Sequence, residues 1–197
     1  MPDQPRTIRT SSRSGIRDSV LGTRNLMTIA ALSVVGSLLV VPLSIFTPVF
    51  ATTPKALTIL CAIMGAWYVA YLLPGVFVRK PGAFILAGLL MGIICTFTTP
   101  LGPSAIIGNL MGAAFLELPM LILFYRKWTW WAYGLGATLF ACVNAGLYGV
   151  SYGVHQSTGE FALGIACSLA SCYAVLALVL GLRRSLARAG VGVEADR

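Results

Sequence analysis

At 197 residues, 57% hydrophobic and 10% charged, the chain carries too few charges for an ordinary soluble domain, in which roughly a quarter of residues are charged. Its mean hydropathy of +0.85 excludes disorder as well, because a chain this apolar must bury its surface, and about 200 residues cannot enclose so much of it in water. The net charge of +8 then reads as a membrane-topology signal, and no nucleic-acid partner is needed to explain it.

Taken in chain order, residues 1–24 are polar, rich in Ser, Arg and Thr, and read as a basic, disordered cytoplasmic tail. A hydrocarbon core about 30 Å thick asks for about 20 apolar residues of helix. Six runs meet or approach that length, at Asn25–Phe46, Ala56–Val78, Gly82–Thr98, Ser104–Tyr125, Trp130–Tyr152 and Phe161–Leu182. The first is too long for a signal-peptide core and lacks a small-residue cleavage site, so it is expected to stay in the mature chain. The third is short and follows the charged break Arg79-Lys80-Pro81-Gly82, where Pro81 suits a helix start. Residues 183–197 form a second tail. The expected fold is all-α, an integral membrane bundle of six transmembrane helices spanning 25–182.

Basic residues gather on cytoplasmic loops. Of the 14 Lys and Arg, Lys55 alone falls on the far side, which makes the protein a multi-pass cell-membrane protein with both termini cytoplasmic. Trp128, Trp130 and Trp131 follow Arg126-Lys127 and read as an interfacial aromatic belt. The loops are short, so function is expected in the bundle interior, in the outer loops or on a surface that meets another membrane protein. The spacings Gly88-x-x-x-Gly92, Gly108-x-x-x-Gly112 and Gly149-x-x-x-Gly153 are of the kind that lets helices approach closely.

The candidate site consists of polar groups at membrane depth. Glu117, in the fourth span, is costly there and is expected to face the interior or a cavity. Asn109 shares its helical face two turns away. On the fifth span Asn144, Tyr148, Tyr152 and His155 form a stripe, with Ser151 alongside. On the second, Trp67 and Tyr71 stand at a depth comparable to Glu117, with Tyr68 beside them. Together these residues describe an outward-opening pocket with an aromatic wall, amides and one carboxylate. Such a pocket suits a small, flat, nitrogen-rich ligand: a carboxylate pairs with a protonated aminopyrimidine, and a cationic ring is drawn to aromatic faces.

Other chemistries find less support. The five cysteines lie in apolar runs without a C-x-x-C pair and read as packing residues. One histidine and two acids outside the tails and cytoplasmic loops are too few for a metal site, so neither a bound metal nor a cobalt cargo is expected. No phosphate-loop motif is present, so the chain is not expected to be an ATPase or another enzyme, and no cofactor is expected. Two rivals stay open. One is an intramembrane hydrolase built on Ser151 and His155. The other is a membrane scaffold in which Glu117 is structural.

The segments Val78-Arg79-Lys80-Pro81-Gly82-Ala83, Pro100-Leu101-Gly102, and Glu117-Leu118-Pro119 followed by Tyr125-Arg126-Lys127-Trp128 resemble the YkoE group. These are substrate-binding S components of energy-coupling-factor (ECF) ABC transporters. The resemblance spans roughly residues 25–182 and implies an ECF S-component-like fold and a vitamin-capture subunit for thiamine or its precursor hydroxymethylpyrimidine. A ligand of a different vitamin-like class is the alternative within the family. It further implies a membrane T component and two cytoplasmic ATPases as partners, and a ligand contact at Glu117. S components dock to the T component through small residues on the first helix, for which Ala30, Ser33 and Ser37 are the candidates here.

Overall fold

A computed structural model describes residues 19–53, 55–126, 128–151 and 157–189. All its regular structure is helical: α1 (Thr23–Ala51), α2 (Ala56–Ala62), α3 (Met64–Val78), α4 (Ala83–Thr98), α5 (Ser104–Ile122), α6 (Trp130–Ser151) and α7 (Thr158–Arg188). Helices α2 and α3 form one span broken at Ile63, whose φ of −85° and ψ of 0° interrupt the α-helical ladder. Counting that pair once, five spans among the described residues are long and apolar enough to cross a membrane. Helix α4, at 16 residues, reaches only about 24 Å at 1.5 Å per residue.

The boundaries differ from the apolar runs where polar residues continue a helix. Helix α1 passes through Thr47 and Pro48 to Ala51, beyond the expected end of the first run at Phe46. Helix α7 starts at Thr158, where the Ser157 hydroxyl and the Glu160 carboxylate form a reciprocal capping box. It continues to Arg188, so the C-terminal tail begins later than residue 183. Helix α5 stops at Ile122, short of Tyr125, and Phe124 and Tyr125 adopt left-handed φ values of 50° and 55° that turn the chain toward α6. Most of the N-terminal tail, residues 1–18, and the end of the C-terminal one, 190–197, lie outside the described residues.

The short connections make successive spans alternate in direction. Arg24, the Arg79-Lys80 turn, Arg126 and the α7 end with Arg183 and Arg184 therefore share one end of the bundle, the basic end. Helix α3 is the hub. Tyr68, Ala70, Tyr71, Leu72, Pro74 and Val76 are buried around it because it packs on α1, α4 and α7 and touches α5 and α6. Trp130 and Trp131 are exposed, whereas Trp128 tucks between Tyr125 and Tyr133 with ring centroids 6.2 and 6.3 Å apart.

Two features reassign small residues. The first concerns α1, which buries Ile29, Ser33, Gly36, Ser37, Val40 and Ser44 along one stripe. Ser33 is 0% and Ser37 5% exposed, so both face their own bundle and are closed to a docking partner; Ala30 flanks that stripe, half-buried. The outward side presents Val34, Val35, Leu38 and Leu39. The second concerns the glycine spacings. A Cβ at Gly88 would lie 2.5 Å from the Ala113 Cβ and 2.8 Å from the Asn109 carbonyl oxygen, and one at Gly92 2.8 Å from the Ile106 Cα. This pair brings α4 and α5 into backbone contact. Gly108 and Gly149 meet nothing within 4 Å and have no such role, and Gly153 lies outside the described residues.

Candidate functional site

A cavity of about 260 Å³ opens between α1, α3, α5 and α6 at the end opposite the arginines. Its aromatic wall consists of Trp67 and Tyr71 from α3 and Phe140 and Tyr148 from α6. Ser104, Gly108 and Asn109 from α5, Ser44 from α1 and Asn144 from α6 complete it. Exposed Leu101 and Ser104 mark the mouth. The floor lies at Gly112, where a Cβ would stand 3.2 Å from the Tyr71 ring and 3.4 Å from Phe140. Below, Tyr68 and Tyr71 hold Phe140 at centroid distances of 5.5 and 5.9 Å.

The hydrogen-bonding groups in this wall differ in how far they are already committed. Tyr71 Oη donates to Asn109 Oδ1 at 2.9 Å, and Asn109 Nδ2 donates to Ala105 O at 2.7 Å, which fixes both side chains. Asn144 Nδ2 donates to Phe140 O at 2.8 Å and leaves Oδ1 without a partner among the described residues. The Trp67 indole Nε1 is buried with no hydrogen-bond partner. A buried donor left unpaired is costly, and the Asn144 Oδ1 is an acceptor in the wall available to a ligand.

Glu117 lies elsewhere. Its carboxylate, 6% exposed, accepts from Gly82 N at 2.7 Å and Phe84 N at 3.1 Å, with a longer approach from Ile85 N at 3.4 Å. These are the first amides of α4, which no preceding acceptor satisfies: its cap is Gly82, in the left-handed region with φ 84°, and contributes no side chain. Glu117 on α5 supplies the missing acceptor, and its charge sits at the positive end of the α4 dipole. Burial, together with a hydrogen bond to Glu117, pushes the Tyr125 phenol up and keeps its proton in place. The expected carboxylate contact with a ligand is thus corrected. Glu117 stands just over two turns, about 12 Å, past Asn109, below the floor formed by Gly112, Tyr71 and Phe140.

Of the residues expected in the site, Trp67, Tyr71, Asn109, Asn144 and Tyr148 line one cavity. Tyr152 and His155 lie outside the described residues. Sequence reasoning missed Ser44, Ser104, Gly108 and Phe140. Phe140 is one turn before Asn144 and extends the same stripe backward. Gly108 was legible as a small residue, but the space beside it is cavity where a neighbouring helix was expected.

Residues 24–143 match the family model described as "ABC-type cobalt transport system, permease component". The chain belongs to this family. The ABC-type cobalt permease components are the setting in which its multi-pass membrane architecture is to be understood. No curated protein matches the sequence. A solved structure described as "Crystal structure of an S-component of ECF transporter" aligns with 86% of this chain and 87% of its own chain, with a TM-score of 0.71 at 21% identity. The expected all-α membrane fold of an ECF S component is therefore present.

Proposed function

We propose that the chain is the membrane-embedded substrate-capture subunit of an ECF-type importer, binding thiamine or hydroxymethylpyrimidine in the cavity and working with a membrane T component and two cytoplasmic ATPases. The observation that carries this reading is the cavity itself, with four aromatic rings and an open amide oxygen around about 260 Å³. Small-ligand sites are concave, largely apolar and supplied with a few fixed polar groups, and this one follows that pattern. The Leu101–Ser104 end faces outward in this proposal and the termini face the cytoplasm, in keeping with the basic residues at the opposite end.

The family's description favours cobalt as an alternative cargo. The donor set speaks against it: a cobalt site wants several imidazole, carboxylate or thiolate ligands, and the described residues contain no group of three His, Cys, Asp or Glu that could hold a metal ion. The cavity wall offers indole, phenol, amide and hydroxyl groups.

Titration of the detergent-purified protein with thiamine and with hydroxymethylpyrimidine, followed by tryptophan fluorescence, tests the proposal. Saturable quenching at nanomolar to micromolar ligand is expected, because a ring entering the cavity meets Trp67. Folded protein that responds to neither compound would defeat the assignment.

A further inference from the structure

We infer that the cavity selects an uncharged, unphosphorylated heteroaromatic ring and discriminates against a permanently cationic ring or a phosphate ester; this rests on the capture reading above. The chain has six acidic residues. Asp3, Asp18, Glu194 and Asp196 belong to the two tails, outside the described residues. Of the remaining two, Glu117 is held below the floor by the first amides of α4. Glu160 is exposed on the first turn of α7, committed to its capping box with Ser157. Among the described residues neither lines the cavity, and no Lys or Arg does.

A ring with a fixed positive charge would leave water without meeting a counter-ion, which is the costly half of burying an ion pair without the compensating half. The aromatic faces return part of that cost. Helix α5 works the other way, since its first residues, Ser104 and Ala105, line the wall and place the positive end of its dipole there. A phosphate would find no guanidinium or ammonium group among the described residues of the wall. The Ala105 and Ile106 amides at this helix end already donate to Gly102 O and Pro103 O. What the wall does offer, aromatic faces with the Asn144 Oδ1 among amide and hydroxyl groups, matches a neutral ring carrying an amine donor.

The test is calorimetric titration of the full-length protein with three probes: hydroxymethylpyrimidine, thiamine and thiamine monophosphate. Hydroxymethylpyrimidine is expected to bind at least tenfold more tightly than thiamine, and the phosphate ester not measurably. Asn144→Asp places a carboxylate in the wall and is expected to move the thiamine-to-hydroxymethylpyrimidine affinity ratio at least tenfold toward thiamine. Thiamine binding as tightly as hydroxymethylpyrimidine in the unaltered protein would overturn the inference while leaving the capture reading intact. An unchanged ratio in folded Asn144→Asp would overturn it too. If neither compound binds to folded protein, the capture reading falls and the inference with it. Should Asn144→Asp fail to fold, the ratio in the unaltered protein decides alone.

Discussion

Glu117→Gln is expected to destabilise the protein by about 1.5–3 kcal/mol, the range for losing a hydrogen bond to a charged group, while changing ligand affinity less than about threefold. The carboxylate presents one oxygen to Gly82 N and the other to Phe84 N. Glutamine keeps a single carbonyl acceptor and turns an NH2 group toward an N–H donor, leaving at least one first-turn amide of α4 unsatisfied. It also removes the negative charge from the positive end of the α4 dipole. Thermal unfolding in detergent gives the stability and ligand titration gives the affinity. A role for Glu117 as a ligand contact predicts the reverse pair of results, lost affinity with intact folding. Observing that reverse pair would return the carboxylate to the binding site.

Gly88→Leu is expected to cost about 1–3 kcal/mol or more, as overpacking does, and to weaken ligand binding at least tenfold. At this crossing the obstacle to a Cβ includes the Asn109 carbonyl oxygen at 2.8 Å, which is backbone and cannot rotate away. Helices α4 and α5 must separate, and Asn109, held by Tyr71 in the cavity wall, moves with α5. Gly108→Ala is the matched control on the facing helix. Its Cβ meets nothing within 4 Å, and alanine is the better helix former, so stability should hold or rise slightly. The unfolding temperatures of the two variants give the comparison, and a Gly88→Leu protein as stable as the unaltered one would refute the close crossing.

These two variants also mark the limits of the sequence. Glu117 announces itself as an acid that must be satisfied within a membrane bundle, and that much follows from the cost of burying it. Which partner satisfies it depends on where the start of α4 lands, and Gly82 lies 35 residues away along the chain. The glycine spacings on α4 and α5 are identical in sequence. One brings two backbones together and the other borders the cavity, because the difference lies in the neighbouring helix. Likewise Ser33 and Ser37 look like a small-residue docking patch until the rotation of α1 against α3 and α4 turns them inward.

The sequence alone determined the membrane setting, the positions of the spans and the gathering of basic residues at alternate connections. Those properties follow from local hydropathy, helix length and charge, which a linear chain carries in full. It also determined that Asn144 and Tyr148 share a face, as do Trp67 and Tyr71, because helical periodicity is local. Tertiary structure alone decided that these two faces meet across one cavity with Asn109, that Gly112 and two aromatic rings close its floor, and that the carboxylate lies beneath it. Those outcomes depend on how helices rotate and cross, and that is fixed by packing between residues far apart in the chain.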